Sequence, residues 1–307
     1  MISIIIPVKN GARHIKGCID SILSTRTADT EIEVIVVDNG STDETVELLA
    51  ERDVSILREE TPGPYAARNR GAKVARGDIL AFTDIDCRVD PHWAASIRSA
   101  MKRSDAVCGM SLGAEGGDIA RLIQERYQKN IDNRIASRTP LPIFDTRNAA
   151  IRRDVFMKVG GFDTRFQDIA DDLLGIMARI HGYNVEFEPG MVVTHIHPES
   201  LVDVAGRQIR HGKYIPMVRR FYGEDVRRFF PGLNRYDFLD RPGTLFRIAA
   251  TALFGLSYVA ALVFALKLRI SLLLPGNPCA DMLFDYYCRA TTVLGICETR
   301  RSGMMNR

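Results

Sequence analysis

Short apolar runs alternate with amphipathic stretches along the first third of the chain. Residues 2–6, Ile-Ser-Ile-Ile-Ile, form a β-branched run closed by Pro7 and predict a buried strand. Over 12–23, apolar residues at Ile15, Ile19, Ile22 and Leu23 follow a helical spacing. A second strand is predicted at 32–37, a helix from 45 to 50 with Ser41 or Thr42 as its cap, and a third strand at 54–57. A helix at 65–75 carries Arg68, Asn69, Arg70 and Lys73, and a fourth strand at 79–83 ends in Asp84-Ile85-Asp86. Strands alternating with helices imply a parallel sheet with right-handed crossovers, a nucleotide-binding type of α/β half.

The pattern loosens beyond residue 106. A small, Gly-rich strand and loop are expected over 107–117 and an amphipathic helix over 119–135. A helix opened by Asp171 and Asp172 carries Leu173, Leu174, Met177 and Ile180, and Gly182 is its expected stop. Two further strands are predicted at 184–187 and 191–194, leading to His195-Ile196-His197.

The chemistry concentrates at the strand ends. Ligands of open parallel sheets collect at the carboxyl ends of strands, where this sequence puts Asp38, Asp84 and Asp86. On extended backbone Asp84 and Asp86 would face the same side and could share a hard cation or straddle phosphates; a solvated acidic turn is the plainer alternative. Taken alone, Asp38 reads first as a turn or cap residue and second as an acceptor for a base or ribose. Asp171 and Asp172 have an ordinary explanation as first-turn acids. Trp93 could stack on a sugar, but core packing or helix-face burial is the expectation. Asn148 is read either as a turn residue or as a sugar contact, and His14, His92, His181 and His211 as surface residues.

Composition narrows the classes. The 307 residues are 46% hydrophobic, ample for a core, and the net charge of +3 gives no case for a nucleic-acid partner. Six cysteines make no CxxC, which argues against a disulfide framework or zinc site and for reduced cytosolic thiols. Met1 runs directly into the first strand, so no signal peptide is expected and the catalytic part should lie in the cytoplasm. Residues 248–266 hold nineteen positions without a charge, close to the roughly 20 that cross a bilayer. Membrane attachment is therefore expected of the carboxyl-terminal part. The basic run Arg207, Arg210, Lys213, Arg219 and Arg220 fits either a solvated helix face or acidic headgroups.

Six segments together resemble the family 2 glycosyltransferases, over residues 2 to about 197. They are Ser3-Ile-Ile-Ile-Pro-Val-Lys-Asn10, Val34-Ile-Val-Val-Asp-Asn-Gly-Ser-Thr-Asp43, Ala67-Arg-Asn-Arg-Gly71, Phe82-Thr-Asp-Ile-Asp-Cys87, Gly160-Gly-Phe-Asp163 and the Asp171-Asp172 helix closed by Gly182-Tyr183. The resemblance implies the GT-A fold, a mostly parallel α/β sheet flanked by helices, here with an apolar helical extension. On that reading 1–220 is catalytic, with 1–106 binding nucleotide-sugar and 107–220 the acceptor, while 221–307 is the membrane-associated part.

The resemblance further implies inverting transfer from a nucleotide-diphospho-sugar, with Mg²⁺ or Mn²⁺, to a glycan or glycolipid hydroxyl. Pro7, Val8 and Asn10 would line the base and ribose, Asp38 would contact the base, and Arg68 would face the donor. Asp84 and Asp86 would form the metal motif, with Asp86 the direct ligand and His195 completing it; His197 competes for that place. Asp171 aligns with the general base. The family's usual preceding acid is replaced by Ala170, which leaves Asp172 as the alternative. A sugar-phosphate nucleotidyltransferase and an inactive nucleotide-binding scaffold are the competing readings; the first wants a Gly-rich basic motif that Val8-Lys9-Asn10-Gly11 scarcely supplies.

Overall fold

The computed structural model describes residues 1–114, 116–136, 144–198, 200–227, 256–268 and 280–301. By packing, these divide into two compact units, 1–114 with 141–196 and 115–140 with 197–307.

The first unit is built on eight strands: β1 (Ile2–Val8), β2 (Ile32–Asp38), β3 (Ser55–Arg58), β4 (Ile79–Phe82), β5 (Cys87–Val89), β6 (Ala106–Gly113), β7 (Ala149–Arg152) and β8 (Val185–His195). Its helices are α1 (Ala12–Leu23), α2 (Thr45–Ala50), α3 (Pro64–Val74), α4 (Trp93–Ala100), α6 (Arg153–Lys158) and α7 (Ala170–Ile180). The sheet runs β3-β2-β1-β4-β7-β6-β8-β5. β3, β2, β1 and β4 are mutually parallel, and every residue of β1 is buried, as a strand covered on both faces must be. Past β4 the sheet is mixed: β7 runs antiparallel to β4 and β6, β6 and β8 are parallel, and β5 is antiparallel to β8.

Three local expectations change. β5 and β7 were not foreseen as strands. The strands expected at 184–187 and 191–194 are one, β8, which passes through Pro189-Gly190 because its register against β6 slips between Gly109 and Met110. The acidic pair does not lie on extended backbone: β4 stops at Phe82, and Asp84–Asp86 forms a turn in which the Cys87 N–H donates to the Asp84 carbonyl at 3.1 Å.

The second unit is helical, with α5 (Asp118–Ala136), α8 (Leu201–Arg227), α9 (256–268) and α10 (Ala280–Arg301). Its core gathers Leu122, Leu201, Val204, Leu268, Phe284 and Leu294. α8 and α10 touch backbone to backbone: a Cβ on Gly212 would stand 2.1 Å from the Thr292 carbonyl, and one on Gly295 1.9 Å from that of Ile209. No described helix is long and apolar enough to cross a membrane, and residues 248–255 of the uncharged run lie outside the described residues.

Candidate active site

The rim of the parallel strands is assembled first. Parallel register sets Pro7 against Val37 and Val8 against Asp38, so the loops after β1 and β2 leave the sheet side by side. Side chains then bind them together. Asn10 Oδ1 accepts the Thr42 N–H at 2.8 Å, the Asn10 N–H donates to Ser41 Oγ at 2.9 Å, and the Gly11 N–H donates to Thr45 Oγ1 at 2.8 Å. Asn10 takes a left-handed backbone, φ 54°, which Asn tolerates better than most residues. Asp38 is buried and accepts the Ser41 N–H at 3.0 Å. The cap expected from Ser41 or Thr42 is absent: Glu44 stands at the N-cap of α2 without a side-chain cap bond, and the Asp43 carboxylate receives the Thr45 N–H at 3.2 Å in the turn ahead of it.

Asp84 and Asp86 have different partners. The Arg68 guanidinium, buried on α3, ion-pairs with Asp84 through Nη2, and its Nε is buried with no hydrogen-bond partner in the described protein. Burial pushes the Asp84 carboxyl upward; Arg68 pulls against that and the Asp86 charge adds to it. Asp86 meets His195, with Oδ2 and Nε2 3.3 Å apart. This follows from topology, because antiparallel pairing of β5 with β8 sets Cys87 against His195. Burial would raise the Asp86 carboxyl too, but the His195 hydrogen bond and charge outweigh it and hold the group below its ordinary value. His197 has a separate partner, Gln124 Oε1 at 3.0 Å.

Asp86, Cys87 and His195 bring ligand atoms within 4.8 Å of one another. Burial first, then the charges of Asp84 and Asp86, push the Cys87 thiol well above its ordinary value and keep it protonated, so sulfur is a poor ligand here. The remaining carboxylate and imidazole donors fit a divalent cation.

Asp171 forms a second centre at the start of α7. Oδ1 accepts the Tyr65 hydroxyl at 2.8 Å and the Asp172 N–H at 3.0 Å; Oδ2 accepts the Thr146 N–H at 3.3 Å and its hydroxyl at 3.1 Å. Burial and then the nearby Asp145 charge raise this carboxyl, against the pull of the Tyr65 hydrogen bond and Arg68. The loop before α7 is held by α3. Gly160 and Gly161 have φ of 93° and 71°, and Asn69 brackets Phe162, donating to its carbonyl at 2.8 Å and accepting its N–H at 3.0 Å. Phe162 then packs on Tyr65, Phe82 and Phe156 with ring centroids 5.1–5.3 Å apart.

Trp93 and Asn148 are structural. Asn148 is a turn residue, its backbone N–H closing the turn from the Asp145 carbonyl at 2.9 Å. Its fully buried side chain accepts the Trp93 indole N–H at 2.8 Å and donates at 2.8 Å to the carbonyls of Met110 and Met191, so it is not free for a sugar. His92 and His181 are exposed, while His14 and His211 are half-buried. Burial, with Arg126 nearby, lowers His211 to about 4. The sequence reading gives no site role to Tyr65, Asn69, Asp145 or Thr146. Asn69 stands there within the Ala67–Gly71 motif, and Tyr65 lies one helical turn before Arg68 on the same face.

The motif order and this rim match the model of glycosyl transferase family 2 over residues 3–160. The chain belongs to glycosyl transferase family 2. It is a glycosyltransferase, a transferase enzyme, which sets aside the nucleotidyltransferase and scaffold readings. It is 28% identical over 225 residues to the glycosyltransferase AglE of Haloferax volcanii, covering 69% of this chain and 72% of that one. A PGL/p-HBAD biosynthesis glycosyltransferase of Mycobacterium bovis is 31% identical over 189 residues, covering 56% of this chain and 66% of that one. Among solved structures, the mannosyltransferase PcManGT of Pyrobaculum calidifontis, determined with GDP-Man and Mn²⁺, superposes with a TM-score of 0.66 at 21% identity, over 96% of this chain and 86% of that one. That likeness establishes the GT-A fold for this glycosyltransferase.

Proposed function

We propose that this glycosyltransferase moves a sugar from a nucleotide-diphospho-sugar to a hydroxyl acceptor with inversion. The observation that carries the reading is two acidic centres with different partners: Asp86 against the His195 imidazole at 3.3 Å, and Asp171 enclosed by the Tyr65 hydroxyl, Thr146 and the Asp172 N–H. The first setting suits a cation and the second a base.

On this reading the base and ribose lie along Pro7, Val8, Asn10 and Asp38, and the diphosphate faces Arg68. The buried, unpartnered Nε of Arg68 fits an anionic ligand. Asp86 and His195, with Asp84 beside them, would hold Mg²⁺ or Mn²⁺; when bound, the cation neutralises charge on the diphosphate leaving group. PcManGT, which carries GDP-Man and Mn²⁺, supports a donor and a metal of these kinds. Asp171 takes the proton of the acceptor hydroxyl as its oxygen attacks the anomeric carbon. The bond from that carbon to the diphosphate breaks in the same displacement, and the configuration inverts. Base catalysis of this type contributes about 10²–10⁴-fold.

The test is thermal stabilisation by a panel of nucleoside diphosphates and their sugars, with and without Mg²⁺ or Mn²⁺. Stabilisation by one nucleotide, only with metal, is expected; none across the panel would remove the donor reading.

The acceptor is proposed to be a glycan or glycolipid at a membrane, with the catalytic part on the cytoplasmic face. One feature supports attachment: on α9, Leu256, Val259, Leu262 and Leu266 are exposed at helical spacing. Full-length protein is expected to float with anionic liposomes, and Leu262→Glu with Leu266→Glu to sink while still binding nucleotide. Wild-type protein that stays at the bottom of the gradient overturns attachment.

A further inference from the structure

We propose that Tyr65 is a positioning residue that holds the Asp171 carboxylate in place and keeps it ready to accept a proton. The inference rests on Asp171 being the base.

Tyr65 is buried, and its hydroxyl donates to Asp171 Oδ1 at 2.8 Å. Burial first, then the Asp171 charge, raise the phenol well above its ordinary value, so it stays protonated and remains a donor. Its ring is fixed from two sides, by Phe162 at 5.3 Å between centroids and by the Arg68 guanidinium 5.3 Å from the ring centre. The same guanidinium pairs with Asp84. A single turn of α3 therefore touches both acidic centres, Tyr65 at the base and Arg68 at the donor-side carboxylate. Capping does not account for Asp171: α7 has no side-chain cap bond, and within the helix the carboxylate reaches only the Asp172 N–H.

The phenol is also a tuning group. Burial and Asp145 raise the Asp171 carboxyl, while Tyr65 and Arg68 pull it back, with Asp172 as the adjoining acid. A donor to a carboxylate favours the ionised form, so removing the hydroxyl must raise that carboxyl further.

Tyr65→Phe keeps the ring and deletes only the donor. Transfer kinetics are expected to lose about ten-fold in kcat with donor KM within about two-fold, and the acid limb of the pH–rate profile to move up by about one unit. Tyr65→Gln, which returns an N–H donor, is expected to bring the limb part of the way back. In the Asp171→Asn background, Tyr65→Phe should change the residual rate little, because the two act together. A Tyr65→Phe enzyme with wild-type kcat and limb overturns the proposal, as does a loss confined to KM and Tm with the limb in place. The two readings fail separately. Wild-type transfer by Asp171→Asn would remove the base itself. An inactive Asp171→Asn beside a normal Tyr65→Phe would remove only the role of Tyr65.

Discussion

Asp86 and Asp171 are both acids at the ends of secondary elements, yet their surroundings treat them in opposite ways. Asp86 sits against an imidazole, with few donors of its own, and is held low. Asp171 is enclosed by four hydrogen-bond donors and still raised, because Asp145 and burial outweigh them. A group that must stay anionic beside a cation is served by the first setting; a group that must take a proton and release it again is served by the second. The difference between the two environments, rather than either acid alone, supports the proposed roles.

Asp86→Ala should disturb the comparison most. Affinity for the nucleotide measured by calorimetry with Mn²⁺ is expected to fall to its metal-free value, because the remaining imidazole cannot hold the cation alone. Metal-dependent affinity that survives would take Asp86 out of the role. Asp171→Asn comes next, with transfer reduced by about 10²–10⁴-fold and donor affinity nearly unchanged. If Asp172→Asn shows that loss and Asp171→Asn does not, the base is one residue further along α7.

The pH dependence tests one side of that contrast. On the proposed reading Asp171 acts in its ionised form; its carboxyl is raised, so the transfer rate should climb with pH through a limb above the ordinary carboxylate range. A pH–rate profile whose acid limb lies at or below that range would count against Asp171 as the base.

How much of this the sequence displays depends on which half of the sheet is read. β1, β2 and β4 are apolar runs because both their faces are covered, and the acids that follow them stand out against that background. β5, Cys-Arg-Val, and β7, Ala-Ala-Ile-Arg, are short, carry an arginine each and lack a hydrophobic period, so their pairing comes from their neighbours. β8 looks like two strands because Pro189-Gly190 resembles a turn, and only the slipped register against β6 keeps it whole. The resemblance sets His195 beside Asp86, but the pairing of β5 with β8 that brings them together is not revealed by the pattern. Tyr65 and Thr146 meet Asp171 across separations of 106 and 25 residues, which no periodicity encodes.

The smallest effect belongs to the region where chemistry was weighed and packing was found. Trp93 is fully buried and its indole N–H donates to Asn148, whose amide in turn donates to carbonyls of β6 and β8. Trp93→Phe fills most of the volume but leaves Asn148 Oδ1 buried without its donor. An unsatisfied buried acceptor costs about 1–3 kcal/mol, a fall in Tm of several degrees by calorimetry. Neither residue belongs to the Asp86 or the Asp171 network, so kcat and donor affinity per folded molecule should stay at wild-type values. A Trp93→Phe enzyme with unchanged Tm and altered acceptor KM would reverse the assignment and return the indole to the sugar.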